Sequence, residues 1–296
     1  MRRDQASRTA AWVAACRGLG SLLPDEARLC DDPWGTTFGG VPPALERGRV
    51  ADALRTALPW APPVLGWVLY LQVRTRVIDD ALLTFVRGGG RQVLLLGAGF
   101  DCRAARFRDQ LAGVTLFEVD HPATQARKRE VLGAIDGPGP RVEYLPWDFE
   151  ANPLDALPAA LAGHGFDRHR PVLTIWEGVT MYLTEPAIEA TVAAVRGLSA
   201  PGSVLVFTYF DRAHGSRSTL SGQFLSALVA GAGEPFRWGW DPAALPAWLA
   251  ERGWALDEDR DTAVAAQDLL PASYARHVRE RGRRIAVARV APAPRR

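Results

Sequence analysis

Lysine is almost missing from this chain of 296 residues: of its 35 basic side chains every one but Lys128 is arginine. With abundant Ala, Gly and Pro, that skew reads as the base composition of a GC-rich genome rather than as a function. Cysteine is scarce too. The three present, Cys16, Cys30 and Cys102, are odd in number and lack the paired short spacings of a zinc site or a disulfide framework, which predicts a reducing compartment. No His/Asp/Glu set has metal-ligand spacing, so a magnesium-dependent catechol-type mechanism is disfavoured and no metal is expected. No apolar run approaches the ~20 residues of a membrane span, and the basic start is followed only by a short, Arg-interrupted apolar stretch. A cytoplasmic protein with no membrane partner is expected. An excess of one charge sign is also lacking: 35 basic residues against 33 acidic leave +2, too weak a field to argue for nucleic acid.

What the chain does have is an ordinary globular balance, 48% hydrophobic and 23% charged, with no repeat or low-complexity block. Its texture changes near residue 90. Before it, helical patterns alternate with Pro/Gly breaks at 31–43 and 59–63. After it, short β-branched or Leu-rich runs alternate with helical segments, the pattern of an α/β domain with a largely parallel sheet. Strands are predicted at 92–97, 114–120, 141–145, 171–177 and 203–210, with late strands at 254–261 and 283–290. Crossover helices are predicted at 121–134, with Pro122 in the first turn, and at 185–198, where Ile188, Val192 and Val195 recur at helical spacing. The chain divides on this reading into an N-terminal helical segment, 1–90, a candidate lid over an acceptor site, and a cofactor-binding domain, 91–296. Sheet order does not follow from one sequence.

The loop leaving the first strand reads Gly97-Ala98-Gly99-Phe100-Asp101. In an open α/β sheet that loop lies at the carboxyl edge, where glycines let backbone approach a ligand. Asp120 ends the second strand, at the place where an acid accepts from both hydroxyls of an adenosine ribose; the competing role is to satisfy free N–H groups of the next helix. His121 is the better cap there, because Pro122 would be the first helical residue. Two cofactors share this geometry. The dinucleotide fingerprint wants Gly or Ala where Cys102 stands, whereas S-adenosylmethionine has no pyrophosphate and needs partners for an amino acid's carboxylate and ammonium instead. Arg74 extends the apolar stripe of Ile78, Leu82 and Phe85 without a local acid, so a bound carboxylate or a distant structural pairing both fit. Arg76 instead faces Asp79 and Asp80 as a surface ion pair. Asp148 and Phe149, after the third strand, suit an adenine ring or a capped loop. Glu177, closing the fourth, suits a ligand ammonium or a buried arginine.

Taken in order, RTRVIDD (74–80), LGAGFDCRAAR (96–106), FEVDHP (117–122), WDF (147–149) and WEGVTMYL (176–183) resemble the leucine carboxyl methyltransferase family, in particular its bacterial O-methyltransferase branch. The resemblance runs from about residue 70 to the C-terminus. It implies a Rossmann-like class I methyltransferase fold with a mostly parallel seven-stranded sheet, an N-terminal helical lid and S-adenosyl-L-methionine as cofactor. By resemblance, Arg74 would hold the methionine carboxylate, Gly97 and Glu177 its amino group, Asp120 the ribose, and Asp148 with Phe149 the adenine, beside Gly99 in the loop. Cys102 departs from the threonine common in the family at that position, and the N-terminal segment is unmatched motif by motif.

An activated sulfonium asks the protein chiefly for alignment and exclusion of water. A carboxylate acceptor, pKa about 4, is ionised at neutral pH and needs no base, whereas a phenol near 10 benefits from one. No base is assigned. His214 and Tyr182 lie near the strand ends as candidate acceptor-site residues, against a solvated loop histidine and a packed tyrosine. The aromatic run 234–254 offers Trp238 and Trp240 to a planar substrate, against core packing, which suits Trp248. RHVRERGRR (276–284) reads as a solvated helix and turn rather than an RNA site. The expected function is O-methylation of a carboxylate or hydroxyl on a small molecule, in secondary metabolism. The alternatives are a nicotinamide-dependent oxidoreductase and a non-catalytic nucleoside binder.

Overall fold

A computed structural model describes residues 7–40, 52–53, 56–58, 61–133, 139–149, 151–214 and 238–291. Its centre is a seven-stranded sheet in the order β3-β2-β1-β4-β5-β7-β6, formed by β1 (Gln92–Leu96), β2 (Thr115–Asp120), β3 (Arg141–Pro146), β4 (Val172–Trp176), β5 (Val204–Phe210), β6 (Trp254–Asp261) and β7 (Arg283–Val290). Strands β1 to β5 are parallel, and β7 runs antiparallel between β5 and β6. β1 and β4 are buried at every position, as strands covered on both faces must be, and apart from Gln92 and Thr174 their sequences are apolar. The edge strand β6 carries Asp257, Glu258, Asp259 and Arg260, charges that discourage further strand pairing. The order reverses between β2-β1 and β4-β5, which opens a crevice at the carboxyl ends of β1 and β4.

Because side chains alternate along a strand, β1 serves two cores. Val93 and Leu95 pack with Val68, Leu71, Ile78 and Leu82 of the long helix Pro62–Arg87. Leu94 and Leu96 join Ile188, Val192 and Val195 of the helix Glu185–Leu198 on the opposite face. The first core runs straight across residue 90, so the change of texture there is not a gap in packing. The helix Pro62–Arg87 starts with proline in its first turn, where a missing N–H costs nothing. The helix Pro122–Leu132 does likewise, and His121 caps it, Nδ1 accepting from the Ala123 N–H at 3.2 Å. The first helix, Arg8–Gly20, is tied to the loop after β1 by Arg17. Its guanidinium donates to Asp32 at 2.5 Å and to the Phe100 carbonyl at 2.5 Å.

Two local expectations change. Arg76 pairs with Asp80 alone, at 2.9 Å, because Asp79 turns inward and is buried. RHVRERGRR is no solvated helix: Arg283 and Arg284 open β7, Arg283 is buried, and Arg284 pairs with Asp259 at 3.0 Å. Lys128 is buried as well, its ammonium 2.5 Å from Glu118 and both side chains 1% exposed. All three cysteines are free and buried. Among the described residues no helix is long and apolar enough to cross a membrane.

Candidate functional site

A cavity of about 510 Å³ occupies the crevice at the carboxyl edge. Its floor is the loop after β1. Gly97 and Gly99 take φ of +66° and +52°, values side chains resist, and the N–H groups of Gly97 and Ala98 both donate to the Val119 carbonyl of β2. A Cβ on Gly97 would lie 2.7 Å from Val179 Cγ2. Gly97→Ala is therefore expected to lose about 1–3 kcal/mol from the left-handed backbone and the clash together, measurable by urea denaturation.

Asp120 projects from the end of β2 onto this floor. Its Oδ2 accepts from the Gly99 N–H at 2.5 Å and its Oδ1 from the His121 N–H at 2.6 Å. Burial raises its carboxyl above the ordinary value, and the two N–H groups work against that rise. A carboxylate has about four acceptor positions, so two remain for hydroxyls from the cavity.

The opposite wall is ionic. Arg103, 3% exposed, donates through Nε to Asp79 at 2.7 Å and through Nη1 to both Asp101 and Glu177, the latter at 2.9 Å. Asp79 takes a second arginine, Arg106, at 2.5 Å, and Glu177 takes Arg74, whose Nε lies 2.8 Å from Oε1. Three cations thus meet three anions, drawn from the long helix, the loop after β1 and the end of β4. Burial opposes ionisation of Glu177, but Arg103 and then Arg74 outweigh it and hold its carboxyl below the ordinary range. Asp101, buried beside Arg103, is brought down to about 2 in the same way. Arg74 Nε and Glu177 Oε1 are within ion-pair distance, yet the alignment leaves each buried atom without a hydrogen bond.

Arg74, Gly97, Gly99, Asp120, Asp148, Phe149 and Glu177 all line this one cavity, as does Tyr182. Phe149, 42% exposed, stands at the mouth after β3, where the Asp148 N–H donates to Asn152 Oδ1 at 3.0 Å. The other acceptor-site expectations fall elsewhere. Trp240 is 4% exposed in the second core, ringed by Phe207, Tyr209, Trp238 and Trp248, because a bridge between Asp211 and Trp240 pulls it back against the sheet. Trp238 packs edge-on against it under the Arg212 guanidinium. His214 pairs with Asp211 at 2.7 Å and is not on the cavity wall. Most of the aromatic-run segment before Trp238, including Phe236, lies outside the described residues. Sequence reasoning missed Asp101 on the wall, the buried Arg103 that holds it from behind, and Trp12, Trp67 and Tyr70. The Tyr70–Arg74 spacing of one helical turn was the available signal for the last group.

Residues 10–196 match the family model for leucine carboxyl methyltransferase. The chain belongs to that family. The matched stretch contains all seven residues expected to face the cofactor. It begins inside the first helix, so the family pattern reaches further toward the N-terminus than the motifs alone suggested, and β5 to β7 fall beyond its end. A Parafrankia protein named "Putative S-adenosyl-L-methionine-dependent methyltransferase" is 36% identical over 275 residues, 88% of this chain and 80% of its own. A Streptomyces coelicolor protein of the same description is 33% identical, over 83% of this chain and 82% of its own. Among solved structures, a DUF574 family protein from Streptomyces avermitilis superposes with TM-score 0.57 at 18% identity, covering 82% of this chain and 91% of that one. A "putative methyltransferase" from Thermobifida fusca gives 0.56 at 18%, covering 93% and 98%. This member of the leucine carboxyl methyltransferase family accordingly has the expected methyltransferase fold, with its order reversal and single antiparallel strand.

Proposed function

We propose that this chain is an S-adenosylmethionine-dependent O-methyltransferase acting on a carboxylate or hydroxyl of a small molecule, in secondary metabolism. The observation that carries the reading is convergence: Asp120, Arg74 and Glu177, from three separate elements, surround one cavity with Gly97 and Gly99 at its floor. The residues present suit an adenosyl amino acid. Arg74 and Glu177 line the cavity as an ion pair 2.8 Å apart, the guanidinium a partner for a carboxylate and the carboxylate a partner for an ammonium. Asp120 has acceptor positions to spare for a ribose. The exposed Phe149 ring offers a face to adenine, and Asp148 an acceptor for its amino group.

When bound, the cofactor supplies a methyl group already activated on a sulfonium. The protein's share is then placement and dryness. The first helix closes over the cavity with Ala10, Trp12 and Val13, and its attachment through Arg17 to the Phe100 carbonyl fixes that cover to the cofactor loop. Tyr182 borders the space beside Glu177, where an acceptor would approach.

Calorimetric titration with S-adenosylhomocysteine and with NADH tests the reading. Micromolar binding of the first and none of the second is expected; the reverse order would mark a dinucleotide enzyme. Asp120→Asn should weaken S-adenosylhomocysteine binding about 10- to 100-fold, the loss of a charge-assisted hydrogen bond. An unchanged affinity would remove Asp120 from the ribose site.

A further inference from the structure

One buried hydroxyl in the sheet has no part in anything assigned above. β5 reads VLVFTYF, and Thr208, 3% exposed, stands in it where a valine of nearly the same shape would serve the strand and its packing as well. Packing therefore does not account for the oxygen. Two hydrogen bonds give Thr208 another role: its Oγ1 accepts from the Gly178 N–H at 2.7 Å, and its carbonyl accepts from the Thr180 hydroxyl at 2.6 Å.

Both bonds follow from where β4 ends. The parallel ladder of β4 and β5 closes with Trp176 opposite Phe207, so Thr208 is the first residue of β5 beyond it. Backbone groups that run past a ladder need new partners. Here the chain leaving β4 supplies them, and Thr208 grips that chain at two points, one on either side of Val179. Glu177 immediately precedes the first point. Glu177, Val179, Met181 and Tyr182 all line the cavity, whereas Thr208 and Thr180 stand behind its wall.

The grip has a pull to resist. The Glu177 carboxylate is drawn by Arg74 at 2.8 Å and by Arg103 at 2.9 Å. Gly178 beside it takes φ of +73°, a turn that glycine makes at little cost, so the backbone there adds no stiffness of its own. Held at its carboxylate alone, Glu177 is free to follow the two guanidinium groups. Held also through the next residue's N–H, it is fixed at both ends.

We propose that Thr208 is a positioning residue for the amino-acid part of the cofactor: through the Gly178 N–H and the Thr180 hydroxyl it sets the place of the carboxylate that meets the ammonium. This rests on the methyltransferase reading above. Thr208 acts without touching the ligand, and its influence is confined to the end that Glu177 meets. The nucleoside end belongs to Asp120, Asp148 and Phe149, on β2 and the loop after β3, outside the clamp.

The test titrates the full chain by calorimetry with S-adenosylhomocysteine and with methylthioadenosine, which keeps the nucleoside and thioether but has no amino acid. Thr208→Val should weaken S-adenosylhomocysteine about 10-fold, the worth of one hydrogen bond that places a charged group, and leave methylthioadenosine within about 2-fold of the parent. Thr208→Ser keeps the oxygen and should recover most of the loss. Should Thr208→Val fail to fold, Thr180→Val, which removes the other bond, carries the same expectation. An unchanged affinity for S-adenosylhomocysteine, no recovery in Thr208→Ser, or equal weakening of both ligands overturns the proposal, the last because a merely loosened sheet would affect both alike. A parent chain that does not bind S-adenosylhomocysteine overturns the methyltransferase reading itself, so the two failures are distinct.

Discussion

Arg103→Ala is expected to lower stability by about 3–5 kcal/mol, enough to unfold a marginal domain at 37 °C. Three carboxylates, Asp79, Asp101 and Glu177, converge on this one guanidinium, and all are buried or nearly so. Removing the cation leaves anions that burial penalises and that repel one another, with Arg74 and Arg106 too few and too far round to replace it. Urea unfolding followed by tryptophan fluorescence measures the loss as a lower midpoint at unchanged slope. Arg103→Lys keeps the charge but not the fork that serves Nε and Nη1 acceptors at once, so it should recover part of the loss. In that variant S-adenosylhomocysteine binding should remain impaired, because Glu177 loses the group that fixes it. A penalty below about 1 kcal/mol for Arg103→Ala would show that water reaches the network and that its charges are screened.

The second large effect is expected at Lys128. Lys128→Met strands the Glu118 carboxylate, 1% exposed, without its cation, again at a cost of about 3–5 kcal/mol near neutral pH. Burial already pushes Glu118 up to about 6 from its ordinary 4.5 in spite of Lys128, and the substitution raises it further. A carboxyl whose folded value lies above its unfolded one contributes stability below the unfolded value and loses it as pH rises through the folded value. The gap between variant and parent should therefore be small near pH 4.5 and widen through pH 6 and above. Denaturation midpoints across that window check the slope; a gap independent of pH would mean Glu118 does not ionise in the fold. Replacing both partners, Lys128→Met with Glu118→Leu, should restore most of the stability, since matched apolar groups leave nothing unpaired.

Those two networks were invisible in the chain, whereas the strands that frame them were not. All seven strands stand within two residues of their expected limits, and β6 and β7 match theirs at both ends. The reason is local: QVLLL and VLTIW can be buried on both faces only as central strands, and Pro122 and Pro186 mark helix starts wherever they occur. That Asp120 and Glu177 line the cavity was legible for a related reason, as acids at the carboxyl ends of strands in an open α/β sheet. Arg103 was not. Asp101 is its neighbour in the chain, but its other two partners lie 24 positions before it and 74 after it, a meeting that depends on sheet order, which single-sequence periodicity does not contain. Trp238 and Trp240 mislead for the opposite reason. An aromatic run beyond β5 resembles a substrate wall until the bridge to Asp211 turns it inward. The aromatic surface that does line the cavity comes from Trp12 and Trp67, in a segment with no recognisable motif.

The burial of the sole lysine has a practical side. With Lys128 1% exposed beneath the helix that follows β2, acylating reagents find no side-chain amine on the folded surface, and modification of this one position proceeds only as fast as that helix lifts away. Mass-spectrometric timing of a single acyl adduct on Lys128 would thus clock the opening of this flank of the sheet without any engineered label.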